Sequence, residues 1–192
     1  MRRLRAANQK MNAVSKATDY CMRLLSYRQY SKGELEEKLR KRGYGERTIM
    51  MVINRLNELG LVDDEGLSKG LVQSAIERQN RGRHAVIAEM RRLKLPEDCI
   101  QSAIEMFDLE TEINIAVKLM RKWLSDEHCK YVSASLCDSG ENQKVRQLIL
   151  RLLRRGFSHE AIMGALRRIG CKPPVYSDAD EVFPLQSAIE NT

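Results

Sequence analysis

The chain has 192 residues, 33 Lys and Arg against 26 Asp and Glu, and 43% hydrophobic but only 5% aromatic side chains, which describes a soluble globular protein with enough apolar material to bury a core. No apolar run exceeds the five residues Ile49 to Ile53, far short of the roughly 20 that a membrane-spanning helix needs, so no membrane partner is expected. The N-terminus is basic without the apolar stretch of a secretory signal, and the expected location is cytoplasmic. Gly and Pro total only 15, while Leu, Ala, Glu, Lys, Arg, Met and Gln abound, a mixture that predicts an all-α fold.

Residues 1–17 read as a basic tail, since Arg2, Arg3, Arg5, Lys10 and Lys16 stand there without an acid among the first sixteen. Beyond it the chain repeats itself. Residues 39–56, 90–107 and 152–169 align without a gap. In that register Leu39, Met90 and Leu152 correspond, as do Tyr44, Leu95 and Phe157, then Ile49, Ile100 and Ile162, and finally Leu56, Phe107 and Ile169. Upstream, Leu35, Val86 and Leu148 also match. Apolar residues four apart (Leu35/Leu39, Val86/Met90, Leu148/Leu152) mark one face of a short helix. A second helix follows, with an i, i+3, i+4, i+7 stripe at Ile49, Val52, Ile53 and Leu56, and its counterparts in the other copies.

Turn chemistry agrees with this division. Gly43 and Gly156 stand where a helix ends in a left-handed residue, and Ser158 and Pro96 suit the start of the next helix. Lys94 occupies the glycine position of the second copy, so a turn of different shape is expected there. Ser31 and Glu34 have capping-box spacing, Ser31 bonding forward and Glu34 back.

Each pair is preceded by another amphipathic stretch: Tyr20, Leu24 and Tyr27; Leu67, Leu71, Ala75 and Ile76; Ile113, Val117, Met120 and Leu124. The reading is three tandem three-helix repeats, 18–60, 61–108 and 109–170, sharing apolar faces along an elongated, slightly curved array. Repeat three contains a linker near 125–141, and residues 171–192, with four acids against Lys172, read as an acidic disordered tail.

Candidate chemistry is sparse. Cys21, Cys99, Cys129, Cys137 and Cys171 form no CxxC pair, which predicts reduced thiols, no bound metal and no cofactor. Asp63, Asp64 and Glu65 precede a helix, where acids serve the cap and the dipole. His84, His128 and His159 lie in different repeats without a catalytic partner at fixed spacing, and no Gly-rich phosphate loop is present, so no enzyme is expected. Trp123 and Tyr131 flank bases and suit either an inter-repeat seal or a stacking surface for unpaired bases.

The most suggestive pattern is again periodic. Lys41, Arg92 and Arg154 share one register, flanked by Arg40, Arg42, Arg91 and Arg155. Such bases can simply offset a helix dipole, or they can form a contact ridge for phosphate or acidic protein. Repeats one and three carry the positive excess, nine bases against six acids in 17–60 and eleven against seven in 109–170, while 61–108 has seven against nine.

Three such repeats, with Gly60–Asp64 (GLVDD) joining the first two, resemble the RecX family, regulators of the bacterial recombinase RecA. The resemblance covers about residues 18–170. It is carried by Ser31-x-x-Glu34-Leu35-x-x-Lys38-Leu39, Gly43-Tyr44, Asp63-Asp64, Arg78, Gly82, Glu89-Met90, Lys144 and Arg154–Phe157 (RRGF). Two positions depart from the family habit: Leu67-Ser68, commonly an aromatic followed by Ala, and Lys94, commonly Gly. The resemblance implies a non-enzymatic protein that binds the helical groove of the RecA nucleoprotein filament and slows ATP hydrolysis and strand exchange, or destabilises the filament, in recombination, repair and the SOS response; a monomer is expected. The alternative of different class is a direct DNA-binding protein of helical-repeat type.

Overall fold

The structure, a computed structural model, describes residues 2–126 and 141–171, with side chains from 12 to 124 and from 144 to 171. Among them are nine α-helices and no strand. Repeat one contributes α1 (Arg2–Leu25), α2 (Lys32–Lys41) and α3 (Glu46–Glu58); repeat two α4 (Asp64–Ser74), α5 (Arg83–Arg92) and α6 (Glu97–Ile104); repeat three α7 (Leu109–Asp126), α8 (Glu141–Arg154) and α9 (His159–Arg168). The expected all-α, three-by-three pattern is the observed one. The linker expected near 125–141 and the tail expected at 171–192 lie outside the described residues, except that α7 runs on to Asp126, α8 begins at Glu141 and Cys171 is buried. Residues 2–17, read as a tail, are helical and continuous with α1.

The chain forms two compact units, residues 1–71 with 89–103 and residues 72–88 with 104–192, so repeat two contributes to both. In the first, α3 packs on α1 and α2 around Ala17, Cys21, Leu35, Leu39, Ile49, Val52, Ile53, Leu56 and Val62. In the second, α7 packs on α9, and Phe107, Met120, Leu152, Phe157, Ile162 and Leu166 are among the largest buried side chains. The repeated apolar positions are buried, apart from Tyr44 and Ile169, which are half-buried. Tyr27, assigned above to the first amphipathic stretch, lies past the end of α1 and is 86% exposed.

Local details follow from hydrogen-bond needs. Gly43 and Gly156 have φ of 81° and 78°, and Lys94, against expectation, adopts the same turn at φ 56°. In all three copies the residue after the turn donates back to the second helix: Tyr44 N to Leu39 O at 3.2 Å, Leu95 N to Met90 O at 3.1 Å and Phe157 N to Leu152 O at 3.2 Å. The Schellman-type bond is thus worth keeping despite a left-handed lysine. Ser31 caps α2 by accepting from Glu34 N at 3.0 Å, but Glu34 does not reach back; Arg28 holds its carboxylate at 2.7 Å and 3.1 Å. After α4 the chain widens into a π-helical turn, Ala75–Gln79, closed by left-handed Asn80, a feature that the sequence pattern did not announce.

Candidate functional site

Successive repeats are joined by a construction that occurs twice, once inside each compact unit. The first residue of a repeat's second helix has an amide with no intrahelical partner, and a carboxylate from the next repeat's first helix accepts it. Asp64 Oδ1 takes Lys32 N at 2.9 Å, and Glu112 Oε1 takes Arg83 N at 2.9 Å. Next to each carboxylate, the start of one second helix meets the left-handed turn that ends the next. Ser31 Oγ donates to Leu93 O; Gly82 N donates to Arg155 O and His84 N to Gly156 O, both at 2.9 Å. The backbones approach so closely that a Cβ on Gly33 would lie 2.6 Å from Lys94 O, and one on Gly82 2.1 Å from Phe157 N.

The acids singled out above therefore divide their work. Asp63 caps its own helix, accepting from Gly66 N at 2.9 Å. Asp64, 4% exposed, caps the helix of the preceding repeat instead. Glu112, 1% exposed, was not anticipated; the only sequence signal is a second acid one turn inside α7.

The joints hold the ends of the second helices of repeats two and three, with Arg91, Arg92, Arg154 and Arg155, whereas the end of α2, with Arg40, Lys41 and Arg42, takes part in neither. Arg40 pairs with Glu46 at 2.8 Å and Arg91 with Glu97 at 3.1 Å, equivalent pairs that tie a second helix to the third. Lys41 pairs with Glu37 at 3.1 Å and Arg92 with Glu89 at 3.8 Å. Glu37 also meets Lys94 Nζ at 3.4 Å, and the two ammonium groups hold its carboxyl below the usual range. Arg42 lies 3.8 Å from the Tyr20 ring centroid. Its register equivalent, Arg155, lies 5.8 Å from that of Trp123 and donates to Gln79 O and Asn80 O at 3.4 Å and 3.3 Å. Arg151 stands at 5.8 Å from the same ring. Arg154 is exposed. Trp123 is half-buried, and Tyr131 lies outside the described residues.

Among the described residues no group of three or more His, Cys, Asp or Glu is placed to hold a metal ion. Cys21 is buried, and burial pushes its thiol up to about 11. His84 and His159 are exposed, and His128 lies outside the described residues. No helix among the described residues is long and apolar enough to cross a membrane.

Comparison with known proteins decides the family. Residues 17–56 match the model of the RecX first three-helix domain. The regulatory protein RecX of Mycobacterium sp. (strain JLS) is 34% identical over 148 residues, which cover 77% of this chain and 78% of its own. This chain belongs to the RecX family. The regulatory protein RecX of Pelodictyon phaeoclathratiforme is 30% identical over 156 residues, 81% of this chain and 90% of its own. The crystal structure of RecX from Lactobacillus salivarius superposes with a TM-score of 0.71 at 20% identity, covering 83% of this chain and 98% of that one. RecX proteins are regulatory, and the helical repeat described above is their fold.

Proposed function

We propose that this chain binds the RecA nucleoprotein filament and slows its ATP hydrolysis and strand exchange, as a cytoplasmic monomer acting in DNA recombination and repair, without a cofactor or catalytic activity of its own. The observation that carries the reading is family membership over most of the chain. The recurring register supports it, because the end of the second helix carries bases in every repeat, and a long regular partner suits a reader whose contacts recur. The seven bases Arg40, Lys41, Arg42, Arg91, Arg92, Arg154 and Arg155 are the proposed contact residues, toward filament phosphate or acidic protein.

The test is titration of the purified chain into an ATP-loaded RecA filament, with ATP hydrolysis and strand exchange followed together. Both should fall at or below one chain per recombinase. Unchanged rates at saturating protein would overturn the reading.

A further inference from the structure

Both joints between repeats are built from the same three parts. A second helix supplies its start, the next repeat supplies the left-handed turn that ends its own second helix, and a carboxylate on that repeat's first helix caps the incoming amide. Repeat one follows no other repeat, yet it carries the receiving turn in the same register. Arg42, Gly43 and Tyr44 correspond to Leu93, Lys94 and Leu95 and to Arg155, Gly156 and Phe157. Gly43 is left-handed at φ 81°, but nothing lies within 4 Å of a Cβ built on it, whereas one on Gly156 would meet Ala85 N at 2.3 Å. In the filled joints Leu93 O, Arg155 O and Gly156 O accept hydrogen bonds from the incoming helix start. Among the described residues Arg42 O and Gly43 O accept none. The residue after the turn records the difference: Leu95 and Phe157 are buried, and Tyr44 is only half-buried. The array thus ends, at repeat one, in an open half-joint.

The third part indicates what fills it. The buried pairs Ala17/Cys21, Ser68/Val72 and Ala116/Met120 set the three first helices in register, and four residues before each pair stand Ala13, Asp64 and Glu112. A methyl group therefore replaces the capping carboxylate in repeat one. Lys16, one turn further along α1, is exposed, and residues 1–16 hold five bases and no acid. The free amides of a helix start favour an acid. Here the incoming helix has to bring that acid itself, and the basic side of α1 attracts it. A second copy of this chain does not fit. Its α2 and α5 starts are taken by its own joints, and the equivalent residue of α8, Val145, lies one turn inside a helix that begins at Glu141, where its amide is bonded within the helix.

We propose that the open half-joint formed by Ala13 and the turn Arg42–Tyr44 docks the start of a recombinase helix that carries its own acidic N-cap, so that the filament continues the array by a third joint. The inference rests on the filament reading and adds to it a backbone contact that a row of charges does not describe. Amides of the docked helix donate to Arg42 O and Gly43 O, and Gly43 leaves room for the side chain opposite, as Gly156 does for Ala85.

The experiment measures cosedimentation of the full chain with an ATP-loaded RecA filament, together with the rate of ATP hydrolysis. Asn tolerates the left-handed region, so Gly43→Asn keeps the turn and fills the space that a docked helix needs; it should bind about tenfold or more weakly. Gly60→Asn is the matched control, because Gly60 has φ 65° and nothing within 4 Å of its Cβ but follows α3, and it should stay within about twofold of the parent. Ala13→Glu restores the carboxylate of the other repeats, which would repel an acid-led helix start and weaken binding about tenfold. Ala13→Gln has the same shape without the charge and should stay within about threefold. Thermal melting checks that each variant folds, and positions 13 and 43 serve independently if one variant does not.

Unchanged binding by Gly43→Asn, unchanged or tighter binding by Ala13→Glu, or equal losses in Gly43→Asn and Gly60→Asn would overturn the proposal. If the parent and every variant bind and slow the filament alike, this inference ends and the filament reading stands. A parent that neither binds nor slows the filament ends both.

Discussion

Asp64 and Glu112 cap equivalent helices with unequal completeness. Glu112 accepts from Arg83 N, from Ser158 N at 3.0 Å and from Ser158 Oγ at 2.7 Å. Asp64 accepts from Lys32 N, and its buried Oδ2 has no donor. The register explains the gap: Pro96 stands where Ser158 does, and proline has neither hydroxyl nor N–H. Burial accordingly raises the Asp64 pKa, with the Lys32 amide as the main opposing influence. With the folded value above the unfolded one of about 3.9, the fold takes up the proton first. The ionised carboxylate then costs stability at neutral pH, and that cost is relieved as pH falls through the folded value. Asp64→Asn keeps an acceptor oxygen for Lys32 and removes the charge, so its stability relative to the parent should be more favourable at pH 7 than at pH 4.5. Urea unfolding at the two pH values measures this, and a difference that is constant or reversed would show that Oδ2 is not an uncompensated charge.

The close backbone approaches make a second residue-scale test. Gly82→Ala would place a methyl 2.3 Å from Gly156 O as well as against Phe157 N, and since backbone must move, a loss above about 2 kcal/mol is expected in denaturant unfolding. Lys94→Gly acts oppositely. It relieves a left-handed lysine at roughly 1–2 kcal/mol while adding about 0.5–1 kcal/mol of glycine entropy, and its ion pair with Glu37 is largely exposed and contributes little. A gain of about 0.5 kcal/mol is expected.

At the scale of the helices, the stripes that recur at fixed register are burial patterns. Ile49, Ile100 and Ile162 are 2%, 0% and 0% exposed; truncating any one to Ala should cost about 2–5 kcal/mol, and a loss under 1 kcal/mol would mean that its repeat repacks freely. This layer was legible in the sequence because helical periodicity is local and occurs three times. So were the glycine turns and the Ser158 cap, which accepts from Ala161 N at 3.2 Å. What sequence did not disclose depends on residues distant in the chain. Lys94 adopts the glycine turn because a preceding repeat offers Gly33 to receive it. Asp64 looks like a cap for its own helix until Lys32, 32 residues away, is seen beside it. The basic register was legible as a row of charges, but which carboxylates meet it in repeats one and two, Glu37, Glu46, Glu89 and Glu97, was visible only in the fold.

For the whole molecule, the proposed activity predicts that the chain slows a RecA filament while hydrolysing no ATP alone, measured as phosphate release with and without the recombinase. The division of repeat two bears on how the chain unfolds. The boundaries between the two units fall at 71/72, 88/89 and 103/104, which lie inside α4, α5 and α6. Melting one unit while the other stays intact would cut the hydrogen-bond ladders of α4 and α5 inside the helix and strip the last residue from α6, leaving fresh unsatisfied amides and carbonyls. Partial unfolding is thereby penalised at every crossing. Far-UV circular dichroism averages over all nine described helices, whereas Trp123 reports from the second unit only, so the two probes should trace a single coincident thermal transition, the mark of all-or-none unfolding in a chain built from separable-looking repeats.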